Sequence, residues 1–342
     1  MKQNILVTGA AGFIGFSLSK LFIKKNINVI GFDNFNSYYD PSLKLARTNE
    51  LLKLSEDSNA IFKMVEGDLK NSDKLEELFV KYNPSVVYNL AAQAGVRYSI
   101  ENPNAYIESN LVGFCNILEA CRKFNVSNLI YASSSSVYGG NTKVPFKEVQ
   151  AVDHPVSLYA ATKRSNELMA HTYSHLYDIS SIGLRFFTVY GPWGRPDMAL
   201  FLFTKSILER KPIKIFNNGE MKRDFTYIDD IVESLYRLLN NPAKIDETFN
   251  RDKPNASTSW APHRIFNIGN STPTHLMDYV HAIENELGIE AIKEFCPMQP
   301  GDVEITSSDN EALQKWIDFK PNTTIQRGIS EFVSWYRRYY KI

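Results

Sequence analysis

Short apolar runs alternate with longer stretches of helical periodicity through the first half of the chain. Residues Asn4–Thr8 (NILVT) form the first run, and 13–25 places apolar residues at three- and four-residue steps, the spacing of a helix with one buried face. The pattern predicts further strands at Asn28–Asp33, 61–65, 85–90 and 128–133, with helices near Ser72–Tyr82 and 104–124. A helix carrying Tyr159 and a strand at 180–187 follow. Strands this short and apolar, spaced by helices, predict an α/β fold: a doubly wound parallel sheet covered on both faces. After Pro192 the pieces shorten and the rhythm loosens. A smaller, discontinuous α/β lobe is therefore expected over 191–342, with segments near 226–241 and 264–288 returning to the larger unit of 1–190. Polar 250–259 reads as an exposed loop, and Gly288 as the end of an amphipathic helix.

Composition narrows the class. Lys+Arg and Asp+Glu both total 38, so formal net charge is zero. Without a basic block, that balance argues against a nucleic-acid partner; Arg337, Arg338 and Lys341 read as the solvated end of a last helix. No apolar stretch reaches the roughly 18 residues that cross a bilayer, so no membrane partner is expected. The three cysteines, Cys115, Cys121 and Cys296, lack metal-ligand spacing. No metal site is expected, and the thiols read as reduced, in a cytoplasmic protein. Met1-Lys2-Gln3-Asn4 leads straight into the first strand, so no signal peptide is expected ahead of it.

Between the first strand and first helix lies Gly9-Ala-Ala-Gly12-Phe13-Ile14-Gly15. Glycines so placed permit a tight turn, close backbone approach to a pyrophosphate and close helix–strand packing, as in a Rossmann dinucleotide site. Asp33 closes the second strand 18 residues after Gly15, where a carboxylate binds ribose hydroxyls and repels a 2′-phosphate; NAD is favoured over NADP. Asn34 follows it. Asp68 and Leu69, and Leu90, Ala91 and Ala92, end later strands at the same crevice, and Asn110 completes the candidate cofactor residues.

Two further features are chemical. Ser133-Ser134-Ser135-Ser136-Val137-Tyr138-Gly139 follows the fifth strand, at the carboxyl end where open sheets bind ligands. Of the 18 tyrosines, only Tyr159 precedes a lysine by four residues, Lys163. One helical turn puts both heads on one face, where a cation would lower a phenol that titrates near ~10 and make it a general base. A surface lysine beside a core tyrosine has the same spacing.

These motifs, with Arg223-Asp224-Phe225-Thr226-Tyr227-Ile228-Asp229-Asp230, resemble the extended short-chain dehydrogenase/reductase superfamily of nucleotide-sugar enzymes along nearly the whole chain. The resemblance implies that Ser134 hydrogen-bonds the sugar oxygen being oxidised, that Tyr159 is the base, and that Lys163 binds the nicotinamide ribose and depresses the tyrosine. Sugar 4,6-dehydratases and UDP-glucuronate decarboxylases of this superfamily carry Asp-Glu or Ser-Glu immediately after the Thr/Ser. Here Ser135 and Ser136 stand instead, so elimination is disfavoured and epimerisation remains.

The 184–199 segment, Leu-Arg-Phe-Phe-Thr188-Val-Tyr-Gly-Pro-Trp-Gly-Arg195-Pro-Asp-Met-Ala, is similar to UDP-glucuronate 4-epimerases, as are 33–41 and 93–97. That likeness implies a UDP-sugar substrate whose C6 carboxylate meets Ser135, Ser136 and Thr188, with Arg195 fixing it, Arg223 neutralising the diphosphate and Arg97 nearby. It also implies a homodimer built on 104–124 and the Tyr159 helix. Epimerisation of neutral UDP-hexoses or UDP-N-acetylhexosamines is the alternative, and a non-catalytic NAD sensor a third reading.

Overall fold

The apolar runs become strands. The computed structural model describes residues 3–299 and 302–342; Met1 and Lys2, where the absence of a leader was expected, lie outside them. The strands are β1 (Asn4–Thr8), β2 (Asn28–Asp33), β3 (Phe62–Glu66), β4 (Val86–Asn89), β5 (Asn128–Ser134), β6 (Ser180–Phe186), β7 (Thr188–Tyr190), β8 (Ile213–Phe216), β9 (Lys222–Tyr227), β10 (His263–Ile268), β11 (Pro273–His275) and β12 (Lys293–Cys296). Seven form one sheet in the order β10-β6-β5-β4-β1-β2-β3, every pair parallel. Order reverses between β1 and β4, leaving a crevice at their carboxyl ends. Central strands read as continuous apolar runs because both faces are covered: every residue of β2 and β6 is buried.

A second, smaller layer rests on one end. It holds a three-stranded sheet, β11-β9-β7, and the parallel pair β12-β8, with helices Ala199–Leu208, Leu276–Leu287 and Ile325–Tyr340. The chain leaves the main sheet at β6 and rejoins it with β10, which pairs with β6 from Ser181 to Phe186. Helix Ile228–Leu238 also packs back on helix Phe13–Lys24.

The structure departs from the sequence expectations at three places. Helix Pro41–Glu56 forms where none was foreseen; Asp40 caps it by accepting from the Ser42 amide at 2.9 Å, and proline occupies its first turn. The single helix over 104–124 is broken into Pro103–Tyr106, a π-helical turn Ile107–Val112, and Gly113–Lys123. Its glycine is a packing requirement, since a Cβ on Gly113 would sit 2.8 Å from the Leu69 side chain. The loop 250–259 is not wholly exposed: Ser257 and Ser259 are buried, and the Ser259 hydroxyl meets His171 Nε2 at 2.7 Å.

Candidate active site

The carboxyl ends of β1, β2, β4 and β5 and the smaller layer enclose a cleft of about 890 Å³. At its β1 end the glycine turn packs backbone on backbone. Gly9 takes φ +69°, its amide donates to the Phe32 carbonyl at 2.7 Å, and a Cβ there would stand 2.9 Å from the Ala91 nitrogen. A Cβ on Gly15 would overlap the Gly9 carbonyl oxygen. Only glycines let the helix Phe13–Lys24 start this close to the strand, with its unpaired amides facing the cleft.

Asp33 ends β2 buried: Oδ2 accepts from the Ala11 amide at 3.1 Å and Oδ1 from the Phe35 amide at 2.9 Å. Lys44, reached only through the unforeseen helix, lies 3.7 Å from Oδ1. Asn34 donates to Asp68 at 3.0 Å. Phe13, Ile14, Leu69, Leu90, Ala91 and Ala92 line the same cleft. Asn110 does not line it. That side chain is bound to both backbone groups of Gln93 and to Thr162 Oγ1, so it braces the wall from behind. The glycine cradle, Asp33 and the helix amides fit a dinucleotide.

Helix Leu158–Tyr177 brings the second group. Ser157 caps it, accepting from the Ala160 amide at 3.1 Å. Tyr159 projects from its first turn beside Ser134, and edge-to-face on Tyr106 at 6.0 Å. Burial raises the Tyr159 phenol above its ordinary value; a hydrogen bond from Ser134 and the charge of Arg195 pull it down. Lys163, expected to do this, is not among those groups. Its ammonium is buried and donates to the Ala132 carbonyl at 2.8 Å, and desolvation lowers it to about 8.

The serine run is divided between support and cleft. The Ser133 hydroxyl donates to Glu167 at 2.6 Å; Glu167 in turn grips the fully buried Arg185 with both oxygens at 2.9 Å. Ser134 turns into the cleft, accepting from the Ser136 amide and meeting its hydroxyl, both at 3.1 Å. Ser135, Ser136 and Thr188 line the same stretch, and no acid stands at 135 or 136.

Arg195 lines the cleft as well, already engaged. Asp197 accepts from its Nε at 3.0 Å and Nη2 at 2.5 Å, and from the Tyr38 hydroxyl at 3.1 Å. Burial and the Asp197 charge push Tyr38 to about 12. Farther out, Arg223 donates to the Glu304 carbonyl at 3.0 Å, while Arg97 pairs with Asp302 at 3.1 Å and sits over the Phe216 ring. Below them Asp224, fully buried, accepts from the Asn270, Ser271 and Ser308 amides and tethers this rim. Sequence reasoning missed Tyr38, Lys44, Tyr106, Asp197 and Asp302. The 33–41 and 184–199 segments contain two of these, Tyr38 and Asp197, but not the contacts joining them.

A parallel sheet with a glycine turn at its switch point and a Ser–Tyr–Lys group beside it defines a nucleotide-dependent oxidoreductase-type site. Residues 5–269 match the model of the NAD dependent epimerase/dehydratase family, and the chain belongs to that family. Protein CapI of Staphylococcus aureus is 57% identical over 339 residues, covering 99% of this chain and 100% of that protein. UDP-glucuronate 4-epimerase 4 of Arabidopsis thaliana is 48% identical across 98% of this chain and 76% of its own length. The solved UDP-glucuronic acid 4-epimerase of Bacillus cereus, in complex with UDP-glucuronic acid and NAD, superposes with TM-score 0.85 at 31% identity over 99% of this chain and 100% of that one.

Proposed function

We propose that this protein is an NAD-dependent 4-epimerase of UDP-glucuronate, giving UDP-galacturonate. The carrying observation is that Ser134 and Tyr159 share the cleft with Ser135, Ser136, Thr188 and Arg195, with no acid at 135 or 136. Bound NAD supplies the hydride acceptor and donor. Ser134 hydrogen-bonds the sugar O4 and the Tyr159 phenolate takes its proton. Lys163, whose ammonium donates to the Ala132 carbonyl at the cleft, binds the nicotinamide ribose in this reading. Gly9, Gly12, Phe13, Ile14, Gly15, Asp33, Asn34, Asp68, Leu69, Leu90, Ala91 and Ala92 hold the dinucleotide; Asn110 supports them.

Oxidation at C4 makes the sugar a β-keto acid, which loses carbon dioxide once electrons flow into the carbonyl. Hydroxyl donors from Ser135, Ser136 and Thr188 stabilise the carboxylate without supplying a proton near C5. The keto sugar then turns in the cleft and takes hydride on its other face, and Tyr159 returns the proton. Arg223 and Arg97 face the diphosphate, with Phe216 beside the base.

One observation favours the alternative, a neutral UDP-hexose or UDP-N-acetylhexosamine: Asp197 neutralises Arg195 in this structure. Competition decides between them. UDP-glucuronate should displace UDP-glucose at far lower concentration; equal competition would favour the neutral sugar.

The same reading divides the chain into an NAD-binding part, 1–190 with returning segments, and a nucleotide-sugar lobe within 191–342. It also makes the protein a homodimer. Exposed Val112, Leu168 and Leu176 on the helices over 104–124 and 158–177 support this, and the three free cysteines suit the reducing cytoplasm.

A further inference from the structure

Arg47 is the most unusual buried group outside the chemistry. It is 0% exposed, and among the described residues no carboxylate pairs with it. Nη1 donates to the Ala11 carbonyl at 2.9 Å and the Tyr39 hydroxyl at 2.8 Å; Nη2 donates to the carbonyls of Trp193 at 2.5 Å and Gly194 at 3.2 Å. Burying a cation against neutral acceptors alone is costly, so the fork is held there by something other than charge balance.

Its partners belong to two distant segments. Ala11 lies inside the glycine turn, and its amide donates to Asp33. Trp193 and Gly194 run directly into Arg195. Trp193 adopts φ +62°, a left-handed conformation unfavourable for a bulky residue, and its ring is wedged against Phe16 and Trp335. A second bridge joins the same segments, since Tyr38, next to Tyr39, donates to Asp197, which grips Arg195. Contacts therefore close a ring from Asp33 through Ala11, Arg47, Trp193 and Arg195 to Asp197 and Tyr38.

We propose that Arg47 is a positioning residue that sets the aim of Arg195 from the cofactor turn, so that the sugar acid is gripped only when that turn is in its cofactor-binding shape. This deepens the functional reading above and rests on it. Only a planar guanidinium serves all four acceptors; a lysine ammonium reaches one segment or the other.

The test is a double-substitution cycle on the NAD-loaded protein, titrated calorimetrically with UDP-glucuronate and with UDP. Arg47→Lys should weaken UDP-glucuronate about tenfold while UDP binds as before. Added to Arg195→Met, it should weaken UDP-glucuronate no further, since its effect passes through Arg195. Tyr38→Phe, which removes one hydroxyl and leaves the packing, should show the same selectivity more weakly and covers a folding failure of Arg47→Lys. Equal weakening of both ligands, or full additivity with Arg195→Met, overturns the proposal. Turnover by the unsubstituted protein is scored separately: binding without conversion sinks the epimerase reading and leaves the cycle decisive.

Discussion

Tyr159 concentrates the chemistry, and its environment in this structure opposes its ionisation. Burial is the largest influence and raises the phenol; Ser134 and Arg195 lower it. A base that must be phenolate works better as pH rises, so kcat should climb with pH on its acid limb. Removing the Arg195 charge raises the phenol further, and Arg195→Met should shift that limb to higher pH in a kcat profile; an unmoved limb would separate the two groups. Tyr159→Phe should lower kcat by about 10²-fold or more with NAD content unchanged, measured on the purified protein. Ser135→Glu places an acid beside C5 and should divert some substrate to a UDP-pentose, visible by chromatography of the products. The placement of Ser134, Tyr159 and Lys163 at one cleft was legible because each lies at a fixed offset from a strand end or helix start. The link from Tyr38 to the Arg195–Asp197 pair was not, since Tyr38 and Asp197 lie 159 apart in sequence and no periodicity marks them. The lysine is not among the groups that lower the phenol in this structure, where its ammonium donates to the Ala132 carbonyl.

At the level of elements, the main sheet was readable because strands buried on both faces leave unbroken apolar runs, as in β1 and β5. Helix Pro41–Glu56 was not. Its buried face includes Lys44, Arg47 and Thr48, so apolar periodicity is masked by polar groups that serve the cleft. The Asp40-Pro41 start was the available signal. The helix carrying Tyr159 depends on its own start: Ser157→Ala removes the cap and should cost about 1 kcal/mol in denaturant unfolding. Because Tyr159 sits in that first turn, kcat should fall more than KM rises. Gly9→Ala introduces a Cβ at positive φ against Ala91, so NAD should be lost during gel filtration before the fold is.

The whole molecule sets a pre-shaped dinucleotide crevice against a smaller layer that brings Thr188, Arg195 and Arg223 from separate strands and loops. Their convergence depends on β7 and β9 pairing, Thr188 lying opposite Phe225, a long-range register that apolar patterning does not encode. Assembly belongs to this scale too: Leu168→Glu and Leu176→Glu together should convert a dimer to a monomer in sedimentation, because charges would replace exposed apolar contacts. The central claim is that hydride leaves C4 and returns to the same carbon without meeting solvent. UDP-glucuronate deuterated at C4, incubated with the protein in ordinary water and followed by NMR, tests it most directly. UDP-galacturonate that keeps the deuterium at C4 is the predicted result; product carrying solvent hydrogen at C4, or no product with NAD supplied, would contradict it.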